Sequence, residues 1–224
     1  MIIANLYSHL NGYEYMAYHR KKQWEQIENA IKAINANDFT KISKAKPSMG
    51  RVFYDQKALN KEFEKILFPL GWQSITIQYY VCDDITTARV IANIRDKDEQ
   101  KQIIEDSGHI AFRTNNQVDF VKDRVAVEVQ FGKYFSVAYD LHVKHTFFFL
   151  RDDIDVGIEI IPTRKMCMYM DTGVAWFENE LANVIREGRS NPTVPIVLVG
   201  IEPETIDLPK IEPKPRGKRK QANS

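Results

Sequence analysis

Asp119, Glu128 and Gln130 stand in the stretch Val118-Asp119-Phe120-Val121-Lys122-Asp123-Arg124-Val125-Ala126-Val127-Glu128-Val129-Gln130, two apolar runs about a charged centre. Alternate residues of a strand share a face. Val125, Val127 and Val129 therefore point one way, and Ala126, Glu128 and Gln130 the other. With Lys122-Asp123 as a two-residue turn, residue 119 pairs with 126 and residue 117 with 128. Asp119 then lies diagonal to Glu128, at the ~7–8 Å backbone separation of diagonal cross-strand neighbours. Two carboxylates so placed can converge on one hard cation, and the small Ala126 leaves room for it. The matching chemistry is hydrolysis of a phosphodiester, in which negative charge gathers on the phosphoryl group. A divalent ion held by two carboxylates offsets that charge and lowers the pKa of a bound water. Gln130 shares the face of Glu128 and could position that water, but an amide is no base at neutral pH. The same pattern also describes an ordinary hairpin with one apolar and one solvated face, and the spacing alone does not separate the two.

The elements that must carry this hairpin follow from periodicity. Residues 2–6 form a short apolar start. Trp24, Ile27, Ile31 and Ile34 recur at spacings of three and four, which predicts a helix with one apolar stripe from about residue 13. Residues 35–49 are polar and read as a loop. A second helix is expected over 56–68, with Leu59, Phe63, Ile66 and Leu67 inward and Pro69 and Gly71 as its stop. Residues 74–82 alternate and predict a strand. Residues 83–107 are highly charged and helical in pieces. After the hairpin, 135–150 reads as one apolar helix, 154–161 as a strand ended by Pro162, 174–187 as a helix stopped by Gly188, and 194–201 as a buried strand. This order predicts an α/β fold with a central mixed β-sheet flanked by helices.

Composition sets the outer bounds. A chain of 224 residues with 44% hydrophobic and 27% charged residues suits one globular domain. The net charge of +1 excludes a polybasic nucleic-acid coat, though a cleft needs only local positive charge. No apolar stretch is long enough to span a membrane and no signal peptide is evident, so a cytoplasmic protein without a membrane partner is expected. Cys82 and Cys167 lack metal or redox spacing and read as buried, reduced thiols. From about Glu204 the composition shifts to proline and then to Lys218, Arg219 and Lys220. We divide the chain into a domain over 1–203 and a basic tail over 204–224 that is expected to be disordered.

Residues 116–134 resemble the BstYI and BglII group of type II restriction endonucleases, within the PD-(D/E)XK nuclease superfamily. Residues 6–12, 137–141 and 183–189 are similar to the same group, and the likeness spans most of 1–203. The resemblance implies Asp119 and Glu128 as metal ligands, completed by the carbonyl of Val129, with Mg²⁺ as the ion. It places Gln130 where most of the superfamily has lysine, a departure this group shares, which leaves the general base unassigned. It implies a homodimer that cuts double-stranded DNA at a palindrome around GATC, with RGATCY as the expected site and 5′ overhangs. A two-fold dimer suits a palindrome because each subunit reads an equivalent half. The alternatives are a non-cleaving, sequence-specific DNA-binding protein of the same fold and a repair or RNA-processing nuclease.

The resemblance also singles out Lys133, at a position where the group has a lysine facing bases, and Thr172, in a loop whose hydroxyl contacts a base. A lysine can donate to guanine O6 and N7 or to phosphate. Read without it, Lys133 is a solvated surface lysine and Thr172 the N-cap of the helix that follows. His142 and His145 on the apolar helix are expected in the core or an interface, as is Phe147-Phe148-Phe149. The tail cations would add nonspecific phosphate attraction or do little.

Overall fold

In a computed structural model that describes residues 1–209, a six-stranded mixed sheet forms the centre of the protein. Its order is β1 (Ile2–His9), β8 (Ile196–Glu202), β7 (Val156–Pro162), β6 (Val125–Val129), β5 (Phe112–Lys122) and β4 (Gln73–Val81). Strands β6, β7 and β8 run parallel, and the remaining pairs are antiparallel. A separate two-stranded ribbon, β2 (Thr40–Ile42) and β3 (Val52–Tyr54), occupies part of the segment expected as loop. Every residue of β7 is buried, as a central parallel strand covered on both faces must be. Glu159 is its single ionisable side chain.

The N-terminal helices cover one face. Helices α1 (Gly12–His19) and α2 (Lys21–Ala33) replace the single helix expected there. Arg20, the N-cap of α2, makes no side-chain capping bond, a contribution of about 1 kcal/mol where it occurs. Burial of Trp24, Ile27 and Ile31 at about 1.5–3 kcal/mol each outweighs that absence. Helix α3 (Gln56–Leu67) is capped by the Asp55 carboxylate and buries Leu59, Phe63 and Leu67. These side chains meet Val125, Val127 and Val129 of β6 in the main core. Ile206 and Leu208 pack on the same core, so its reach extends past residue 203. Lys218, Arg219 and Lys220 lie outside the described residues.

The other face is covered by helix α9 (Phe177–Glu187) and a helical run from 134 to 150. Two helices, α4 (Ile85–Ile91) and α5 (Lys97–Asp106), precede β5, and a short helix, α8 (Arg164–Cys167), follows β7. Helix α9 starts three residues later than periodicity indicates, because residues 173–175 pair with residues 132–134 instead. The run expected as one helix comprises α6 (Tyr134–Tyr139), a π turn (Asp140–Lys144) and α7 (His145–Leu150). The His145 N–H donates to the Asp140 carbonyl, five residues back. Such widened turns concentrate at functional sites. Phe148 is fully buried, and Phe147 and Phe149 pack against the same cluster, in line with a core role. Cys167 is buried, whereas Cys82 is only half-buried, and both are free thiols. Among the described residues no helix is long and apolar enough to cross a membrane.

Candidate active site

The β5–β6 hairpin turns one residue later than expected, on Asp123 and Arg124 at φ 48° and 65°. Both are left-handed, as the turn matching the twist of a two-residue hairpin requires. Arginine is costly in this conformation, and its side chain is correspondingly well tied. Arg124 Nε donates to Asp155 Oδ1 at 2.9 Å and Nη2 to Asp152 Oδ1 at 2.6 Å, while Gln23 Nε2 holds Asp123 Oδ2 at 2.5 Å. The pairs are Lys122 with Val125, Val121 with Ala126 and Phe120 with Val127. Register is thus shifted by two from the expected one, which leaves face parity intact. Ala126 packs in a cluster on the face opposite Val125, Val127 and Val129, so Glu128 and Gln130 belong to that second face.

Asp119 arrives differently from the diagonal geometry expected. The β5–β6 ladder ends at Phe120, and β5 is irregular against β4 between the pairs Gln73–Val121 and Ile75–Val118. Asp119 lies in this bulge, a device that re-aims side chains near functional sites. Its Oδ2 accepts from the Val129 N–H at 3.5 Å, which brings the half-buried carboxylate to the end of β6 beside Glu128. Asp119 and Val129 line a cavity of about 110 Å³ together with Asn60 and Glu64 of α3.

The face bearing Glu128 is neither open nor solvated. Glu128 is 1% exposed because the π turn covers it. Lys144 Nζ lies 2.9 Å from Glu128 Oε1 and 2.8 Å from Asp140 Oδ1. Gln130 Nε2 donates to Asp140 Oδ2 at 2.9 Å, and Gln130 Oε1 accepts from the Gly132 N–H at 2.8 Å. The amide expected to hold a water is therefore engaged within the protein at both ends. Burial, then repulsion from Asp119 and Asp140, pushes the Glu128 carboxyl well above its ordinary range. Burial raises Asp140 too, against the pull of Lys144 and Gln130. Burial opposes the Lys144 charge, but Glu128 and Asp140 together outweigh it and hold the ammonium protonated. Beneath them His145 Nε2 meets Glu159 Oε2 at 3.3 Å, with both side chains fully buried. Burial, followed by Lys144, lowers His145 to about 3, and burial raises Glu159 well above its ordinary range.

Among the described residues no group of three or more His, Cys, Asp and Glu side chains gathers to hold a metal by itself. A magnesium ion is commonly held by one or two carboxylates, with waters and substrate phosphates completing its shell. The Asp119 carboxylate, held by the Val129 N–H next to Glu128, supplies oxygen donors of the kind such an ion takes.

Lys133 and Thr172 are both exposed and share one lip. Lys133 pairs with Val174 in an isolated bridge, and the Tyr134 N–H donates to the Gly173 carbonyl at 2.9 Å. Thr172 is not a helix cap, since the N-cap of α9 is Trp176.

Residues 4–201 match the restriction endonuclease family described as BglII/BglIII. The chain belongs to that family. It shares the fold of BglII solved in complex with a DNA 16-mer, with a TM-score of 0.61 and 18% identity over 88% of this chain and 74% of that one. Free BglII matches with a TM-score of 0.54 and 18% identity, over 90% and 81% of the two chains. No curated protein sequence matches it. As a BglII-family member the chain is a DNA-binding endonuclease of a restriction system, which hydrolyses DNA.

The sequence of this family member marks the hairpin acids Asp119 and Glu128 but not the rest of the cluster. Asp140 lay inside a similar segment but carried no assigned role, and Lys144 and Glu159 were passed over. A signal existed in each case: an i, i+4 acid and lysine on a strongly apolar helix, and one carboxylate in a wholly apolar strand. The α3 lining residues Asn60 and Glu64 left no comparable mark.

Proposed function

We propose that the chain is a type II restriction endonuclease that cuts both strands of double-stranded DNA at a GATC-centred palindrome, RGATCY, leaving 5′ overhangs. It acts as a homodimer, each subunit reading an equivalent half-site. The observation that carries the reading is the approach of the Asp119 carboxylate to the Val129 N–H, one residue past Glu128 at the end of β6, from the bulge in β5. Asp119, Glu128 and the Val129 carbonyl would hold Mg²⁺, which when bound supplies charge for the phosphoryl group and acidifies water. Asp119 orients toward this point through the Val129 N–H. Gln130 fixes Asp140 and, through it, the Lys144 ammonium beside Glu128. Lys133 and Thr172, joined in one lip, face the base edges, where the lysine suits guanine. The resemblance to the BstYI and BglII group supports the GATC core.

The test is digestion of a plasmid by the purified full chain with Mg²⁺, followed by sequencing of the ends. Discrete fragments with four-base 5′ overhangs at RGATCY are expected, and chelation should stop the reaction. Cleavage at unrelated sequences would overturn the recognition site, and cleavage that survives chelation would overturn the metal requirement.

A further inference from the structure

Two carboxylates, Glu128 and Asp140, bind one ammonium, that of Lys144, and the Asp119 carboxylate acts on both through its charge. Glu128 and Asp140 converge on a single point, each at 2% side-chain exposure, as acidic ligands do around a divalent ion. Here a side chain of the protein fills that point. The arrangement is built rather than incidental. The π turn places Asp140 and Lys144 on the same side of the helical run, and Gln130 pins the second oxygen of Asp140. Gly132 in turn anchors Gln130, and a Cβ at 132 would collide with the Gln130 amide oxygen.

We infer that Lys144 is a resident cation in the place a second divalent ion would take, so that each chain holds one ion, between Asp119 and Glu128. The inference rests on the metal-dependent reading above. Two-ion nuclease sites hold their metals about 3.5–4 Å apart with a carboxylate shared between them. Glu128 is the shared carboxylate here. Its Oε1 is bound to Lys144, which leaves Oε2 for the ion held with Asp119. Lys144 is thus a positioning residue that acts through Glu128. Gln130, which sits where most of the superfamily has lysine, orients the acid that orients this lysine.

The experiment is a titration of the full chain with Mn²⁺, counting bound ions by the electron paramagnetic resonance signal of free Mn²⁺, for wild type and Lys144→Met. Wild type should bind one ion per chain. Lys144→Met should bind two, or one at least tenfold more tightly, while plasmid cleavage in Mg²⁺ falls about 100-fold. Lys144→Arg should keep the count at one. Two ions in wild type, or an unchanged count and affinity in folded Lys144→Met, would overturn the inference and leave the metal-dependent reading standing. Absence of any Mn²⁺ binding to wild type, together with chelation-resistant cleavage, would overturn both. If Lys144→Met does not fold, Asp140→Asn serves instead. It removes one carboxylate without changing shape and should lower Mn²⁺ affinity about tenfold; an unchanged affinity would count against the inference.

Discussion

Glu128 and Glu159 are register partners on neighbouring parallel strands, and each meets one of two consecutive helical residues, Lys144 and His145. Both acids are almost wholly buried, yet their partners create opposite situations. Lys144 keeps its proton and reaches a second acid, Asp140. His145, fully buried, is driven neutral, and with Glu159 it forms an uncharged pair inside the sheet–helix interface. The difference comes from position in the sheet. Glu128 stands near the end of β6, where β5 peels away at its bulge, whereas Glu159 is flanked by strands on both sides. Burial alone therefore does not separate the two acids; the neighbouring irregularity in β5 does.

The sharpest way to break this comparison is to remove each acid. Glu128→Ala should lower plasmid cleavage about 1,000-fold or more while DNA binding in Ca²⁺ is largely kept, and Asp119→Ala should do the same. Glu159→Gln should stay within about tenfold of wild type. Near-normal cleavage by Glu128→Ala would erase the distinction between the two pairs.

The glycines under each pair offer a second, smaller contrast. A Cβ at Gly157 would lie 2.6 Å from His145 Nδ1 and 2.7 Å from the Ile196 Cδ1 atom. Gly157→Ala should cost about 1–3 kcal/mol in urea unfolding, because a packed ring and an aliphatic side chain must both move. Gly132→Ala meets only the end of the Gln130 side chain, so its stability should fall by less, about 1 kcal/mol for the hydrogen bonds Gln130 gives up. Its cleavage rate should nonetheless drop about tenfold as Gln130 releases Asp140.

The last contrast concerns pH. His145 binds its proton at about 3 in the fold against an ordinary 6.5, so between these values the unfolded chain holds more protons and stability rises with pH. Glu159 is raised from 4.5, so above that value the folded state holds the extra proton and stability falls with pH. The two slopes oppose each other between pH 4.5 and 6.5. His145→Gln removes the rising one. Urea unfolding across that window should show a slope more negative than wild type by about 1.4 kcal/mol per pH unit.

Much of the scaffold could be read from periodicity because burial repeats with the element. The stripe Trp24–Ile27–Ile31 and the alternation Val125–Val127–Val129 each report one buried face. The strand acids were visible for the same reason, as polar interruptions of an apolar pattern. What periodicity does not carry is irregularity. The bulge at Asp119, the left-handed Asp123-Arg124 turn and the π turn at 140–144 are each a local exception, sustained by tertiary partners. The expected turn was one residue early because Arg124 is a poor candidate for a left-handed position, and only Asp152 and Asp155, some thirty residues on, make it tenable.

The bridge between Lys133 and Val174 also bears on how site preference could change. Backbone hydrogen bonds join 132–134 to 173–175, with Tyr134 N–H on Gly173 and Ala175 N–H on Gly132. Gly132 in turn holds Gln130. If Lys133 and Thr172 read DNA as proposed, a transplanted 171–173 loop would therefore tug on the strand end that follows Glu128. Rewriting what this enzyme reads without blunting what it cuts calls for paired edits on both sides of that seam.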